Sequence, residues 1–145
     1  MILPDVNVLI YAYRKDSPRH TECREWLENL LESGQTFGLS DLVLSGFLRI
    51  VTHPRIFNPP TPLLEAWKFV DALRQEPQCL SVTPGHRHWE IFREISLAEG
   101  AKGNMVSDAF HAALAIEHGA EWITTDHDYA RFPKLKWRDP GKSRP

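Results

Sequence analysis

The sequence predicts one α/β domain built on a central, mostly parallel β-sheet flanked by α-helices. An apolar, β-branched run opens the chain at residues 1–10, and short apolar segments then alternate with longer stretches of helical periodicity. Aspartates also fall at or near the ends of predicted strands in distant parts of the chain, where parallel sheets bind ligands.

The opening run reads as a strand buried on both faces. Asp5 and Asn7 interrupt it, two residues apart and so on one face of a strand. A carboxylate in such a strand is costly unless it is paired, hydrogen-bonded or bound to a cation. Ser17-Pro18 then starts a helix in which Cys23, Trp26, Leu27, Leu30 and Leu31 recur at helical spacing up to the cap at Gly34. Residues 36–39 form a second strand. Ser40 caps a helix running to about Thr52, apolar on more than one side.

A proline-rich loop over 53–60 leads into a helix from Thr61-Pro62, striped by Leu63, Ala66, Trp67, Val70 and Leu73. Residues 79–82 read as a third strand and 86–97 as a helix. An alanine-rich helix follows over 105–118, capped by Gly119. Residues 121–125 form another strand, giving way at once to Asp126-His-Asp-Tyr129, and 135–137 a last short one. Such alternation implies right-handed crossovers.

At 145 residues the chain is one domain, long enough to bury a core without staples. A net charge of −2 gives no basic field over the whole molecule, so a polyanion must meet a local patch or metal ions. The end of the chain has a local bias: Arg131, Lys134, Lys136, Arg138, Lys142 and Arg144 against Asp139. The domain is expected over 1–137, with 138–145 a basic, solvated C-terminal tail. Cys23 and Cys79 fit no metal or redox spacing and read as reduced thiols of a cytoplasmic protein. No apolar run is long enough for a membrane span, and Asp5 with its nearby proline argues against a signal peptide.

Asp5, Asp108, Asp126 and Asp128 therefore come from separate stretches that a parallel sheet could gather on one rim. Clustered carboxylates repel unless a proton or cation sits between them, and oxygen-only donors suit Mg²⁺ or Mn²⁺. Such ions activate water against a phosphodiester and neutralise charge on its oxygens. Each acid also has a plainer reading. Asp5 could be a buried acid bonded to backbone amides, Asp108 an ordinary acid in a helix's first turn, and Asp126 with Asp128 an Asx-type turn.

Asp5-Val-Asn7, Ser107-Asp-Ala-Phe-His-Ala-Ala-Leu-Ala115 and Ile123-Thr-Thr-Asp-His-Asp128 together resemble the acidic motifs of PIN-domain ribonucleases, in particular VapC toxins of type II toxin–antitoxin systems. The resemblance runs from Ile2 to about Leu135. It implies a PIN-like fold, a Mg²⁺- or Mn²⁺-dependent endoribonuclease hydrolysing RNA phosphodiester bonds, a VapB-type antitoxin partner and a homodimer. Transfer RNA or ribosomal RNA loops are the substrates that it suggests. Carried onto this chain, Asp5, Asp108 and Asp126 become the metal-binding carboxylates, Asp128 a further catalytic acid, and Asn7 and Thr124 supporting hydrogen-bonding residues.

One position departs from the pattern. Many PIN domains carry a glutamate shortly before a Leu-Arg pair in the second helix, and here Gly46 stands in its place. That leaves a non-catalytic PIN module binding RNA or a protein partner as the alternative, with Asp41 either a compensating acid or a first-turn one. A small-molecule phosphohydrolase is a third reading, weakened by the lack of a Gly-rich phosphate loop.

Arg49 reads as an RNA contact or as a partner for a structural carboxylate. His86 and His88 diverge in a helix and read as surface residues, His111 and His118 as structural. His127-Asp128 is similar to the HD phosphohydrolase dyad without that family's helical context. Trp26, Trp67 and Trp89 are expected in the core or an interface.

Overall fold

The computed structural model describes residues 1–142. Five parallel strands, Ile2–Pro4 (β1), Phe37–Leu39 (β2), Cys79–Ser81 (β3), Glu121–Ile123 (β4) and Trp137–Arg138 (β5), form one sheet in the order β3-β2-β1-β4-β5. The helices are Val6–Tyr13 (α1), His20–Ser33 (α2), Asp41–Val51 (α3), Leu63–Gln75 (α4), His88–Ala98 (α5) and Asn104–Glu117 (α6). A 3₁₀ turn, His127–Arg131, follows β4. The expected α/β class and all five strands are thus present, each strand two or three residues long.

β1 is the centre of the sheet, and it ends sooner than the apolar run suggests. Asp5 leaves the strand with φ −73° and ψ 159° and caps α1, its Oδ1 accepting from Val6 N at 2.7 Å. Residues 6–10 are therefore helical rather than extended. An unbroken apolar run fits a buried strand and a buried helix equally well. The capping aspartate decides between them: α1 buries Val8, Leu9, Ile10 and Ala12. Asp5 and Asn7 still meet, with Asn7 Nδ2 donating to Asp5 Oδ2 at 3.2 Å.

Most other boundaries follow their local signals. Gly34 closes α2 at φ 70°, in the left-handed region where a side chain is strained. Ser40 Oγ accepts from Val43 N at 3.1 Å and starts α3. α1 packs on α2 and α3, α3 on α4, and α5 on α6.

Three expectations change. His88 is buried, its Nε2 3.0 Å from Phe110 O and its ring edge-on to Phe110 at 4.4 Å, because α5 starts at His88 and turns that position toward α6. Trp67 and Trp89 are exposed, which removes the core and leaves the interface half of that expectation, and Trp26 is half-buried. The segment expected to begin a solvated tail at 138 is integral as far as Asp139. Arg138 lies in β5 and reaches Glu121 Oε1 at 3.1 Å, while Asp139 is 5% exposed and gripped by Arg19 at 2.7 and 3.0 Å. Charge alone marks such a segment as solvated; burial with an opposite charge makes it structure. Arg144 lies outside the described residues. Among the described residues no helix is long and apolar enough to cross a membrane, and both cysteines are unbridged.

Candidate active site

Strand order places the site. From β1 the chain builds outward through β2 to β3, returns, and places β4 on the other side of β1. The carboxyl ends of β1 and β4 therefore adjoin at the switch in strand order, where ligands bind in such sheets. Asp5 follows β1 and Asp126 stands three residues beyond the end of β4. Asp5 N donates to Ile123 O at 2.8 Å, so the two chain ends are tied at the backbone.

A hydrogen-bonded network joins them at the side chains too. Thr124, fully buried, donates from Oγ1 to Asp5 Oδ2 at 2.7 Å and accepts from Asp126 N at 3.0 Å. Asn7 donates to Asp5, and its Oδ1 accepts from Thr125 N at 3.4 Å. Asp126 Oδ1 accepts from Asp128 N at 2.9 Å and so caps the 3₁₀ turn. Asp5 and Asp126 thus each spend one oxygen on local backbone, as their plainer readings require, and nevertheless line a shared cleft. Asn7 and Thr124, expected near the acids, both donate to Asp5.

Asp108 enters the same cleft from α6. It is the fifth residue of that helix, and α6 has no acid in its first turn, so the end-of-helix reading does not apply. The cleft, about 310 Å³, is lined by Asp5, Asn7, Asp108 and Asp126 with Ser45, Gly46 and Arg49 of α3. Burial pushes the Asp5 carboxyl up to about 6 against the pull of Thr124 and Val6, and the charges of Asp108 and Asp126 add to the rise. Asp108 is also raised, by burial and by Asp126, while Tyr129 opposes the rise. Three carboxyls held together repel one another, and the charge of Arg131 offsets this in part at Asp108.

Asp128 stands apart. It is outside the cleft lining, its side chain is 74% exposed, and Arg131 Nη2 lies 3.9 Å away. Asp41 faces a different groove, with Leu39, Arg74 and Cys79, and occupies the first turn of α3. It does not compensate for Gly46. At Gly46 a Cβ would lie 3.2 Å from Val6 Cγ2, so the glycine lets α3 close on α1. Arg49 is exposed on the cleft wall.

Among the lining residues that escaped the sequence reading as site residues are Tyr129 and His111. Tyr129 reads as a turn aromatic, and nothing local says that its hydroxyl reaches Asp108 at 3.3 Å. His111 stacks on Trp122 at 5.2 Å and 22°, and burial pushes its pKa down to about 4, so it is neutral at pH 7. Its spacing of three from Asp108 on one helix face was the available signal.

Among the described residues no three or more His, Cys, Asp or Glu side chains form a ready metal cage. The donor set nevertheless fits Mg²⁺ or Mn²⁺. Mg²⁺ is commonly held by one or two carboxylates and keeps several waters.

Comparison with known proteins identifies the family. The PIN domain family model matches residues 2–135. "VapC ribonuclease Mb2897" of Mycobacterium bovis is 44% identical over 140 residues, covering 97% of this chain and 95% of that protein. "Ribonuclease VapC25" of Mycobacterium tuberculosis is 38% identical over 136 residues, covering 94% and 96%. In fold, the chain is similar to VapBC2 from Rickettsia felis bound to a promoter DNA fragment, with a TM-score of 0.67 at 19% identity over 96% of this chain and 98% of that one. VapBC-1 from nontypeable Haemophilus influenzae gives a TM-score of 0.68 at 18% identity over 98% of this chain and 100% of that one. With its acids gathered at the β1/β4 switch point, the chain belongs to the PIN-domain family and, within it, to the VapC ribonucleases.

Proposed function

We propose that the protein is the toxin of a type II toxin–antitoxin pair, an endoribonuclease that hydrolyses RNA phosphodiester bonds with Mg²⁺ or Mn²⁺. The observation that carries the chemistry is the convergence of Asp5, Asp108 and Asp126 on one cleft, where burial and the neighbouring acids raise the Asp5 carboxyl. Those three carboxylates would hold the ion, one or two directly and the rest through its waters. When bound, a divalent ion supplies water activation and neutralises charge developing on the phosphate. Thr124 and Asn7 hold the Asp5 carboxylate in place, and Arg49 on the opposite wall meets the RNA backbone. Asp128, at the exposed rim, adds negative potential near Asp108 rather than a ligand atom.

A VapB-type antitoxin is the proposed partner. Its support is the company of the fold, since solved structures of similar fold include VapBC assemblies. A cytoplasmic homodimer acting on transfer or ribosomal RNA completes the reading. The second reading, a PIN module that binds RNA without cutting it, draws on Gly46, which leaves α3 without an acid on the cleft wall.

One experiment separates them. The antitoxin-free protein is incubated with total cellular RNA, with and without Mg²⁺ or Mn²⁺, beside Asp5→Asn. Discrete fragments that require both metal and Asp5 support the nuclease. Retained but intact RNA, from a folded protein at every metal concentration, supports the binding module. Cleavage by Asp5→Asn at the native rate would remove Asp5 from the mechanism.

A further inference from the structure

Tyr129 is 2% exposed, its ring packed against Trp122 at 5.6 Å and Phe132 at 6.0 Å. Those contacts account for an aromatic ring and leave its hydroxyl unexplained. A buried tyrosine hydroxyl needs a partner, and here the partner is the Asp108 carboxylate. An ordinary phenol keeps its proton at neutral pH, so the hydroxyl is the donor and the carboxylate the acceptor.

Tyr129 also sits where two acids from different elements can be coupled. Its backbone N lies 3.4 Å from Asp126 O, and its hydroxyl reaches across the cleft to Asp108 on α6. Among the described residues this is the one hydrogen bond that the Asp108 carboxylate receives. The terminal torsion of an aspartate is broad, so without that bond the carboxylate samples a range of orientations. Asp5, by contrast, is held from three sides by Val6, Asn7 and Thr124.

We propose that Tyr129 is a positioning residue: its hydroxyl holds the Asp108 carboxylate in the orientation in which it shares a divalent ion with Asp5 and Asp126. The inference rests on the divalent-ion reading above and assigns Tyr129 no contact with RNA. Groups that orient a metal ligand typically change affinity by 10–100-fold when removed. Tyr129→Phe deletes the hydroxyl and keeps the ring packing.

The test is Mn²⁺ binding by titration calorimetry to the full chain as wild type, Tyr129→Phe, Asp108→Asn and the double variant, with melting curves in chelator as the control for folding. Tyr129→Phe is expected to bind Mn²⁺ about tenfold more weakly while melting within a few degrees of wild type. In the Asp108→Asn background the same substitution is expected to change nothing further, because it acts through Asp108. Wild-type affinity in Tyr129→Phe would overturn the inference alone, as would an equal loss in both backgrounds. Wild type that binds no Mn²⁺, or Asp108→Asn that binds like wild type, would instead bring down the ion site itself and the inference with it.

Discussion

Asp5 and Asp139 are buried to the same degree, 6% and 5% exposed, yet their surroundings act in opposite senses. Asp139 receives Arg19 through two nitrogens at 2.7 and 3.0 Å, Gly141 N at 2.8 Å and His127 Nε2 at 2.8 Å. The Arg19 bonds, the largest influence, hold its carboxyl well below the ordinary range. Asp5 receives neutral donors only and faces two further acids, so burial lifts it to about 6. One aspartate is matched by a cation from the chain itself and fastens the last strand to α2. The other is left wanting a cation, the place that the divalent ion proposed above would fill.

The largest way to break the comparison is to remove that want. Asp5→Asn is expected to reduce metal-dependent RNA cleavage by roughly a hundredfold or more, read as the rate of fragment appearance. The same change should leave the metal-free protein more stable at neutral pH. A carboxyl raised from 3.8 to about 6 binds its proton more tightly in the folded state. Stability in chelator therefore falls as pH rises through that window, by on the order of 3 kcal/mol, and stays low above it. Melting curves from pH 4 to 8 should show this fall in wild type and lose it in Asp5→Asn.

Asp139 gives the opposite sign. A carboxyl lowered on folding contributes stability above its unfolded pKa and loses it as pH falls through the folded one. Asp139→Asn is expected to cost about 2 kcal/mol at pH 7, read by urea unfolding, because Arg19 loses one of its two carboxylate partners and keeps only Glu22. Thr124→Val tests how far the neutral donors matter. It removes the hydroxyl shared by Asp5 and Asp126 and should reduce cleavage by about tenfold, with Thr124→Ser restoring most of it. The smallest effect is expected at the rim. Asp128→Asn should change the cleavage rate by less than about threefold, since an exposed charge is screened by solvent.

These contrasts follow how much of the molecule was legible in advance. Helix starts and stops were readable because capping is local: Ser40 and Gly34 act within a turn of their own position. The acids that line the cleft were readable because carboxylates in apolar surroundings are conspicuous wherever they fall. The extent of β1 was not, since an unbroken apolar run satisfies either structure until a cap intervenes. Asp139 was misjudged with its basic neighbours because its partner, Arg19, lies 120 residues away. Asp128 looks equivalent to Asp126 in sequence, and only the 3₁₀ turn separates them, aiming one at the cleft and the other at solvent.

The chain by itself determined the class of the fold, the alternation of strands and helices, and the three stretches that carry acids, because periodicity, capping and the cost of burying charge act over short spans of sequence. The tertiary structure alone decided which aspartates share a cleft, which one finds an arginine, and that Tyr129 reaches Asp108. Those are matters of strand order, and strand order is set by packing the whole apolar surface at once, which no local pattern contains.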